Sequence, residues 1–472
     1  MPDRTEEADA VVVGCGPGGA VLAYLLARSG VDVALVERAA TFEREYRGFG
    51  WNPGVVRLFD EMDVLGDVLD LAHETVTDGA FSLYGRRVTV LDFDLLDTDY
   101  PYALMMEQPA LLERLVERAG AYDTFSFHPA TTVTDLRTDE SGVIRGVMAR
   151  DRAPDRREGA NRASGETGSR SPDRREGADR ASGETGGREG ERSETSDRAS
   201  GETASRAPET VAFECRVVVG ADGRYSTVRS SAGIDAGLFD SPIDLVWFKL
   251  PRGAVDAATQ GRLDRDGVLV YFGLGGGDLQ VGYLVRTGEW RAVRDAGFRA
   301  FRDRVAAVDP QLGPAIDAHL DGFRDTTLLD VAPGLADAWT RDGLLLLGDA
   351  AHTASPIGAQ GNPLAVEDAV VAHDVLVRAL SDGAEPISRE RLDAFERRRR
   401  PTVEHVIGLQ RRAARNLAFW LDYGQYLPGR LVRGSASAFG WAVPRSRLIR
   451  GLVESFALGD RSVSVARSHF KD

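Results

Sequence analysis

Three clusters of small and acidic residues in this 472-residue chain have the types and spacing to do chemistry. Gly14, Gly16 and Gly19 satisfy G-x-G-x-x-G, with Pro17 and Gly18 between them. In that spacing the first glycine permits a tight turn and the second lets the backbone approach a pyrophosphate. The third allows a helix and a strand to pack closely. A diphosphate would sit on the unpaired N–H groups of the helix start, where the dipole favours negative charge. Glu37 follows about 20 residues on, where a carboxylate accepts ribose hydroxyls. Arg38 beside it faces either an adenine or solvent. An acid there favours a free 2′-hydroxyl, which fits NAD and the adenosine half of FAD equally. The second cluster is Ala221-Asp222-Gly223 with Arg229. The third runs through Gly348, Asp349, His352, Pro356, Gly358, Gly361 and Asn362. There an apolar run stops abruptly in Gly-Asp, which reads as a buried strand ending at a ligand. A tight loop then leads into a helix at about Pro363.

These clusters need elements to hold them. Residues 10–13 form an apolar strand run, 20–27 a helix and 31–36 a second strand. Residues 217–219 form another strand run, and Ser226 is suited to cap the short helix after it. Residues 245–250, 268–274 and 279–285 read as antiparallel strands with aromatic members. Residues 292–307 read as one helix, and from Arg389 the pattern is helical and arginine-rich. Residues 151–208 differ from all of this. The segment 155–168 recurs at 173–186, with a partial third copy at 197–203. The stretch has almost no apolar residues, so it is expected to be a disordered surface insert. Its flanks, 143–149 and 211–219, read as two strands that a plain hairpin would join.

Composition narrows the function. The net charge of −15 at pH 7 argues against nucleic-acid binding. Lys249 and Lys471 are the only lysines. An acidic chain nearly devoid of lysine fits a high-salt, halophilic cytoplasm, although a GC-rich genome would also enrich arginine. Cys15 and Cys215 read as small buried side chains in a reducing compartment. No leader-like or membrane-spanning apolar run is evident, so the expected location is cytoplasmic, with loose peripheral membrane contact left open. No metal-ligand spacing is read.

The three motifs, in this order, resemble those of the FAD-dependent group-A aromatic-ring hydroxylases, the monooxygenases of the para-hydroxybenzoate hydroxylase type. The resemblance spans nearly the whole chain except the insert and the last 70 or so residues. It implies an α/β fold: a Rossmann-like FAD-binding domain of the glutathione-reductase type, a mixed-sheet substrate domain and a helical C-terminal tail. The FAD-binding domain is expected from residues 1–75, 101–150, 209–235 and 325–388, and the substrate domain from 76–100 and 236–324. The C-terminal region is 389–472. Glu37 resembles the acid on the FAD ribose, Arg47 the arginine near the pyrophosphate, and Gln108 the flavin-contacting glutamine. Asp222 belongs to the motif associated with FAD and pyridine nucleotide. Asp349 resembles the carboxylate on the ribityl chain. Pro356 would lie against the flavin ring with His352 nearby, and the backbone of 358–362 would donate N–H groups to the reduced ring. One departure stands out: many family members carry asparagine where this chain has Pro363, which removes an N–H at that point.

The implied activity is NADH- or NADPH-dependent hydroxylation of a small aromatic or other electron-rich compound with O₂, through a flavin C4a-hydroperoxide. Trp247, Tyr271, Phe272 and Tyr283 are the expected lining of the substrate pocket, and a homodimer fits the reading. Two rival classes stand beside it. A geranylgeranyl-reductase-like enzyme acting on isoprenoids shares the first two motifs, but the His352 form of the third leans towards hydroxylases. A non-enzymatic scaffold would use the arginine run at 397–400 and the helical tail to dock a partner. A flavin halogenase fits less well, since no Trp-x-Trp-x-Ile-Pro is present.

Overall fold

The computed structural model describes residues 2–43, 49–151, 209–257, 259–383, 385–442 and 447–471. Its first sheet has eight strands. Five of them run Leu344–Leu346, Glu209–Gly220, Arg4–Val13, Val33–Val36 and Phe125–His128, in that order and parallel to one another. Val217, Val218 and Val219 are fully buried, as are Val11 and Val12. Parallel strands covered on both faces need such continuous apolar runs.

The register of this sheet carries the functional consequence. Val13 lies opposite Gly220 and Val36, and Gly220 lies opposite Leu346. Four adjacent strands therefore stop at one level. Gly14, Glu37, Ala221 and the 347–348 step emerge side by side from the same edge. Ligands of open α/β sheets bind at the carboxyl ends of strands.

The helix Pro17–Arg28 packs on the helix Gly361–Ser381, and Gly18 makes the close approach possible. A Cβ on Gly18 would lie 2.6 Å from the Leu347 side chain and 3.0 Å from the Ala365 carbonyl. The strand Ile144–Asp151 pairs antiparallel with Glu209–Gly220, with Asp151 opposite Glu209. The expected hairpin is thus present, and the insert at 152–208 lies outside the described residues.

The second sheet has seven strands, built from Asp78–Leu83, Arg86–Asp92, Ile243–Pro251, Gly261–Asp264, Gly267–Gly273, Asp278–Arg286 and Thr326–Leu329. The last strand takes this sheet slightly past residue 324. Side chains alternate across the sheet. Val246, Phe248, Tyr271 and Tyr283 pack under the helices Phe298–Val308 and Leu312–His319. Leu245, Trp247, Val268 and Phe272 face the other way, towards Ile357 and towards Ala414 and Ala418 of the helix Arg389–Tyr423.

Two expectations shift. Residues 292–307 form two helices, Trp290–Asp295 and Phe298–Val308, because Gly297 takes φ +93° between them. That left-handed backbone suits glycine and stops a helix. The helix expected at about Pro363 starts at Gly361, which places Pro363 in its first turn. A proline is tolerated there because the first N–H groups have no partner within the helix. Among the described residues, no helix is long and apolar enough to cross a membrane.

Within the arginine run, Arg399 is buried and Arg400 half-buried, while Arg397 and Arg398 are exposed. Arg398 pairs with Asp374, buried Arg399 with Glu367 and Asp368, and Arg400 with Glu396. The tail also docks on the first sheet's helices. Val465 N donates to Glu61, and Lys471 N donates to the Arg28 carbonyl.

Candidate functional site

The glycine loop is shaped by close backbone contact. Gly14 takes φ +100°, and a Cβ there would lie 2.5 Å from the Ala221 carbonyl oxygen. A Cβ on Gly19 would lie 2.0 Å from the Gly14 carbonyl oxygen. Only glycine fits either place. Gly16 caps the helix without a side-chain cap hydrogen bond, and Pro17 opens it. The N–H groups of the first turn face the strand ends described above, which is an anion site by geometry and dipole. Glu37 is buried at 6 % exposure, and its carboxylate accepts from Cys15 N at 2.7 Å and Ala39 N at 2.9 Å. The acid therefore lies directly against the glycine loop. Arg38 is exposed. Arg47 lies outside the described residues.

In the second motif, Asp222 and Ser226 cap the helix Thr227–Ser231. Asp222 Oδ2 accepts from Thr227 N at 2.7 Å and Val228 N at 3.1 Å, and Ser226 Oγ accepts from Arg229 N at 2.8 Å. Asp222 Oδ1 is buried without a hydrogen-bond partner among the described residues. Burial pushes this carboxyl above its usual range. Arg229, also buried, donates to the Ala350 carbonyl at 2.9 Å and to the Arg224 carbonyl at 2.7 Å. It thereby ties the second motif to the third.

The third motif is a chain of short turns. Gly348 takes φ +55°, and Asp349 stands exposed on the turn Gly348–Ala350. His352 points the other way. It is 2 % exposed, and its Nε2 lies 2.5 Å from Asp368 Oδ2. The same carboxylate accepts from Gly348 N at 3.0 Å and from Arg399 Nε at 2.8 Å. Burial alone would raise the Asp368 carboxyl, but His352 and Arg399 outweigh it and hold it at about 2. His352 thus sits in a buried ionic cluster beneath the loop.

Pro356 precedes the turn Ile357–Ala359, where Gly358 and Ala359 both take positive φ. Gln108, at the start of the helix Gln108–Ala119, is buried and donates from Nε2 to Asn362 Oδ1 at 2.9 Å. Two residues 254 positions apart thus meet at the head of the Gly361–Ser381 helix. The Asn362 amide nitrogen is itself buried with no hydrogen-bond partner among the described residues.

The four expected pocket residues separate. Trp247 and Phe272 stay together, with ring centres 6.1 Å apart, and Phe49 meets Trp247 edge-on at 6.0 Å. Tyr271 lies on the opposite face, donating to Asp309 Oδ2 at 2.9 Å, and Tyr283 packs there against Phe301. A single wall of four aromatic residues is therefore not formed, because strand alternation sends Tyr271 and Phe272 to opposite faces.

Several residues of this site gave little sequence signal. Gln410 is 1 % exposed; it accepts from Ser355 N at 3.0 Å and donates to the Ser355 and Ile357 carbonyls at 2.9 and 2.8 Å. Gln360 Nε2 donates to the Gly358 and Phe456 carbonyls at 2.7 and 3.1 Å. Asp368 and Arg399 complete the support. The one available cue was a polar residue on an apolar helix face.

The family model described as "FAD binding domain" matches residues 7–164 and 175–409. The chain is 34 % identical over 470 residues to 6-methylpretetramide 4-monooxygenase of Streptomyces rimosus, covering 98 % of this chain and 95 % of that one. It is 25 % identical to 3-hydroxybenzoate 6-hydroxylase of Klebsiella oxytoca, covering 92 % and 96 %. Among solved structures, p-nitrophenol 4-monooxygenase of Pseudomonas putida shares the fold, with a TM-score of 0.68 at 20 % identity, covering 97 % of this chain and all of that one (100 %).

Proposed function

This chain belongs to the FAD-binding-domain family and is an FAD-dependent monooxygenase, and from that premise we propose which residues hold the flavin and what it acts on. The observation that carries the reading is the common level at which the strands ending in Val13, Val36, Gly220 and Leu346 stop. The residues present fit the cofactor. Gly14 and Gly19 let the loop fold closely onto the Ala221 and Gly14 carbonyls, and buried Asn362 Nδ2 and Asp222 Oδ1 lack partners among the described residues.

In this reading the N–H groups of Gly16, Gly18 and Gly19 receive the pyrophosphate, with Pro17 opening the helix between them, and Glu37 accepts the adenosine ribose hydroxyls. Arg38 stays at the solvent edge. Asp349 bonds the ribityl chain, beside the turn that Gly348 makes. The Gln108–Asn362 pair and the backbone of residues 358–361 meet the ring edge, with Pro356 against its face. When bound, the flavin supplies reduction by NADH or NADPH and oxygen transfer from O₂. The chain positions it, supplies N–H donors where negative charge grows, and excludes water. Asp222 and Arg229 hold the second motif against this loop.

The substrate is an aromatic compound related to the 6-methylpretetramide recorded for the Streptomyces relative, seated between the ring and the Trp247–Phe272 face. The test is to release the bound cofactor from native protein and follow NADH and NADPH oxidation with 6-methylpretetramide and with 3-hydroxybenzoate. The expected result is released FAD, substrate-stimulated oxidation and a product gaining one oxygen. Full turnover without O₂ would instead support a reductase.

A further inference from the structure

We propose that Gln410 is a positioning residue that sets the flavin-facing turn of residues 355–358 from behind; this rests on the reading that this turn meets the flavin. Three features carry the inference. First, all three hydrogen bonds from the Gln410 amide go to backbone of the turn, one accepted from Ser355 N and two donated to the Ser355 and Ile357 carbonyls. No other side chain bonds both Ser355 and Ile357 among the described residues. Second, packing holds only one side of the turn, where Ile357 joins the Trp247 face. On the other side lies a cleft lined by Phe239, Pro242, Pro333, Ser355, Gln410 and Arg411. On that side the turn is located by its hydrogen bonds rather than by a filled core. Third, Gln410 lies one and two helical turns before Ala414 and Ala418, which pack on the Trp247 face of the second sheet together with Ile357. One helix thus fixes both the turn that carries Pro356 and the sheet face proposed for the substrate. Gln410 sets the spacing between them.

The chemistry makes the amide specific. Leucine matches glutamine in bulk but leaves one N–H and two carbonyls without a protein partner. Glutamate keeps an acceptor but turns a carboxylate towards two carbonyl oxygens. Neither variant alters a group proposed to touch the flavin or the substrate.

The test compares full-length wild type, Gln410→Leu, Gln410→Glu and, as a control, Phe395→Leu. Phe395 is buried earlier in the same helix against Trp339, remote from the turn. The readouts are FAD affinity of the stripped protein, hydrogen peroxide released per NAD(P)H consumed with substrate present, and melting temperature. Gln410→Leu is expected to weaken FAD binding about tenfold, or about 1.4 kcal/mol, since it orphans buried backbone groups. Peroxide release is expected to rise severalfold in both Gln410 variants. Phe395→Leu is expected to lower the melting temperature and leave the other two readouts at wild-type values. Equal flavin affinity and coupling in Gln410→Leu and Phe395→Leu would overturn the positioning role while leaving the flavin site intact. Wild-type protein that releases no FAD would overturn the flavin reading and this inference with it.

Discussion

The glycine loop at 14–19 and the turns at 348–362 face the same strand edge, yet they are built in opposite ways. The first is held mainly by backbone: a strand end, a helix start, and glycines whose absent Cβ atoms leave room for the Ala221 and Gly14 carbonyls, with the Glu37 carboxylate on Cys15 N. The second is held by side chains gathered from far along the chain. Asp368, Arg399, Gln360 and Gln410 fix it from one side, and Gln108 reaches across to Asn362. A backbone-built site is stiff and sensitive to any added atom. A site built by side chains can be loosened one bond at a time. That difference orders the expected effects of mutation.

The largest effect is expected in the first loop. Gly19→Ala drives a methyl group to 2.0 Å from the Gly14 carbonyl. It should abolish FAD retention and cost about 3 kcal/mol of stability or more, as measured by released cofactor and urea denaturation. Retention of FAD at wild-type affinity would break the contrast between the two loops.

Next is the ionic cluster under the second loop. Removing the guanidinium in Arg399→Met leaves Asp368 and Glu367 buried together, and breaking a buried pair costs about 3–5 kcal/mol. The pH dependence has a definite sign. Asp368 is depressed to about 2 in the folded chain. Its contribution is complete above the ordinary carboxylate value of about 4 and is lost as pH falls towards about 2. Asp368→Asn should therefore flatten the acid limb of a stability-against-pH curve, and an unchanged limb would discount the cluster.

A smaller effect is expected at the bridge. Gln108→Leu removes one hydrogen bond and should weaken FAD binding by about 1 kcal/mol, roughly fivefold, without lowering the melting temperature greatly. Titration of the stripped protein with FAD reads this directly.

The finest test separates the two faces of the second sheet. Trp247→Leu should raise the KM for aromatic substrate about tenfold. Tyr271→Phe should leave KM unchanged and cost about 1 kcal/mol from the lost Asp309 bond. A KM change at Tyr271 and none at Trp247 would reverse the assignment of faces.

The same contrast explains what could be read from sequence. Local features were legible: strand runs at 10–13 and 217–219, the Ser226 cap, and the hairpin across Asp151 and Glu209. The strand runs and the cap depend on a few adjacent residues, and the hairpin on two apolar runs that flank a segment with almost nothing apolar. The first loop was legible for the same reason. The support of the second was not, because Gln410 lies 55 residues from Ser355 and looks like any polar residue on a helix. Period-two alternation could have divided Tyr271 from Phe272, since neighbours on a strand cannot share a face. Gly297 marked a break inside 292–307 that the apolar pattern concealed. Pro363 behaved as its position allows, in the first turn of a helix where its missing N–H costs little.

The central claim is that the flavin lies where four strands end together. A crystal structure of the protein loaded with FAD tests it most directly. The account predicts the pyrophosphate on residues 14–19, the adenosine ribose on Glu37 and the ring beside residues 356–362. A flavin bound away from this edge, or a ring contacting neither Pro356 nor the Gln108–Asn362 pair, would contradict it.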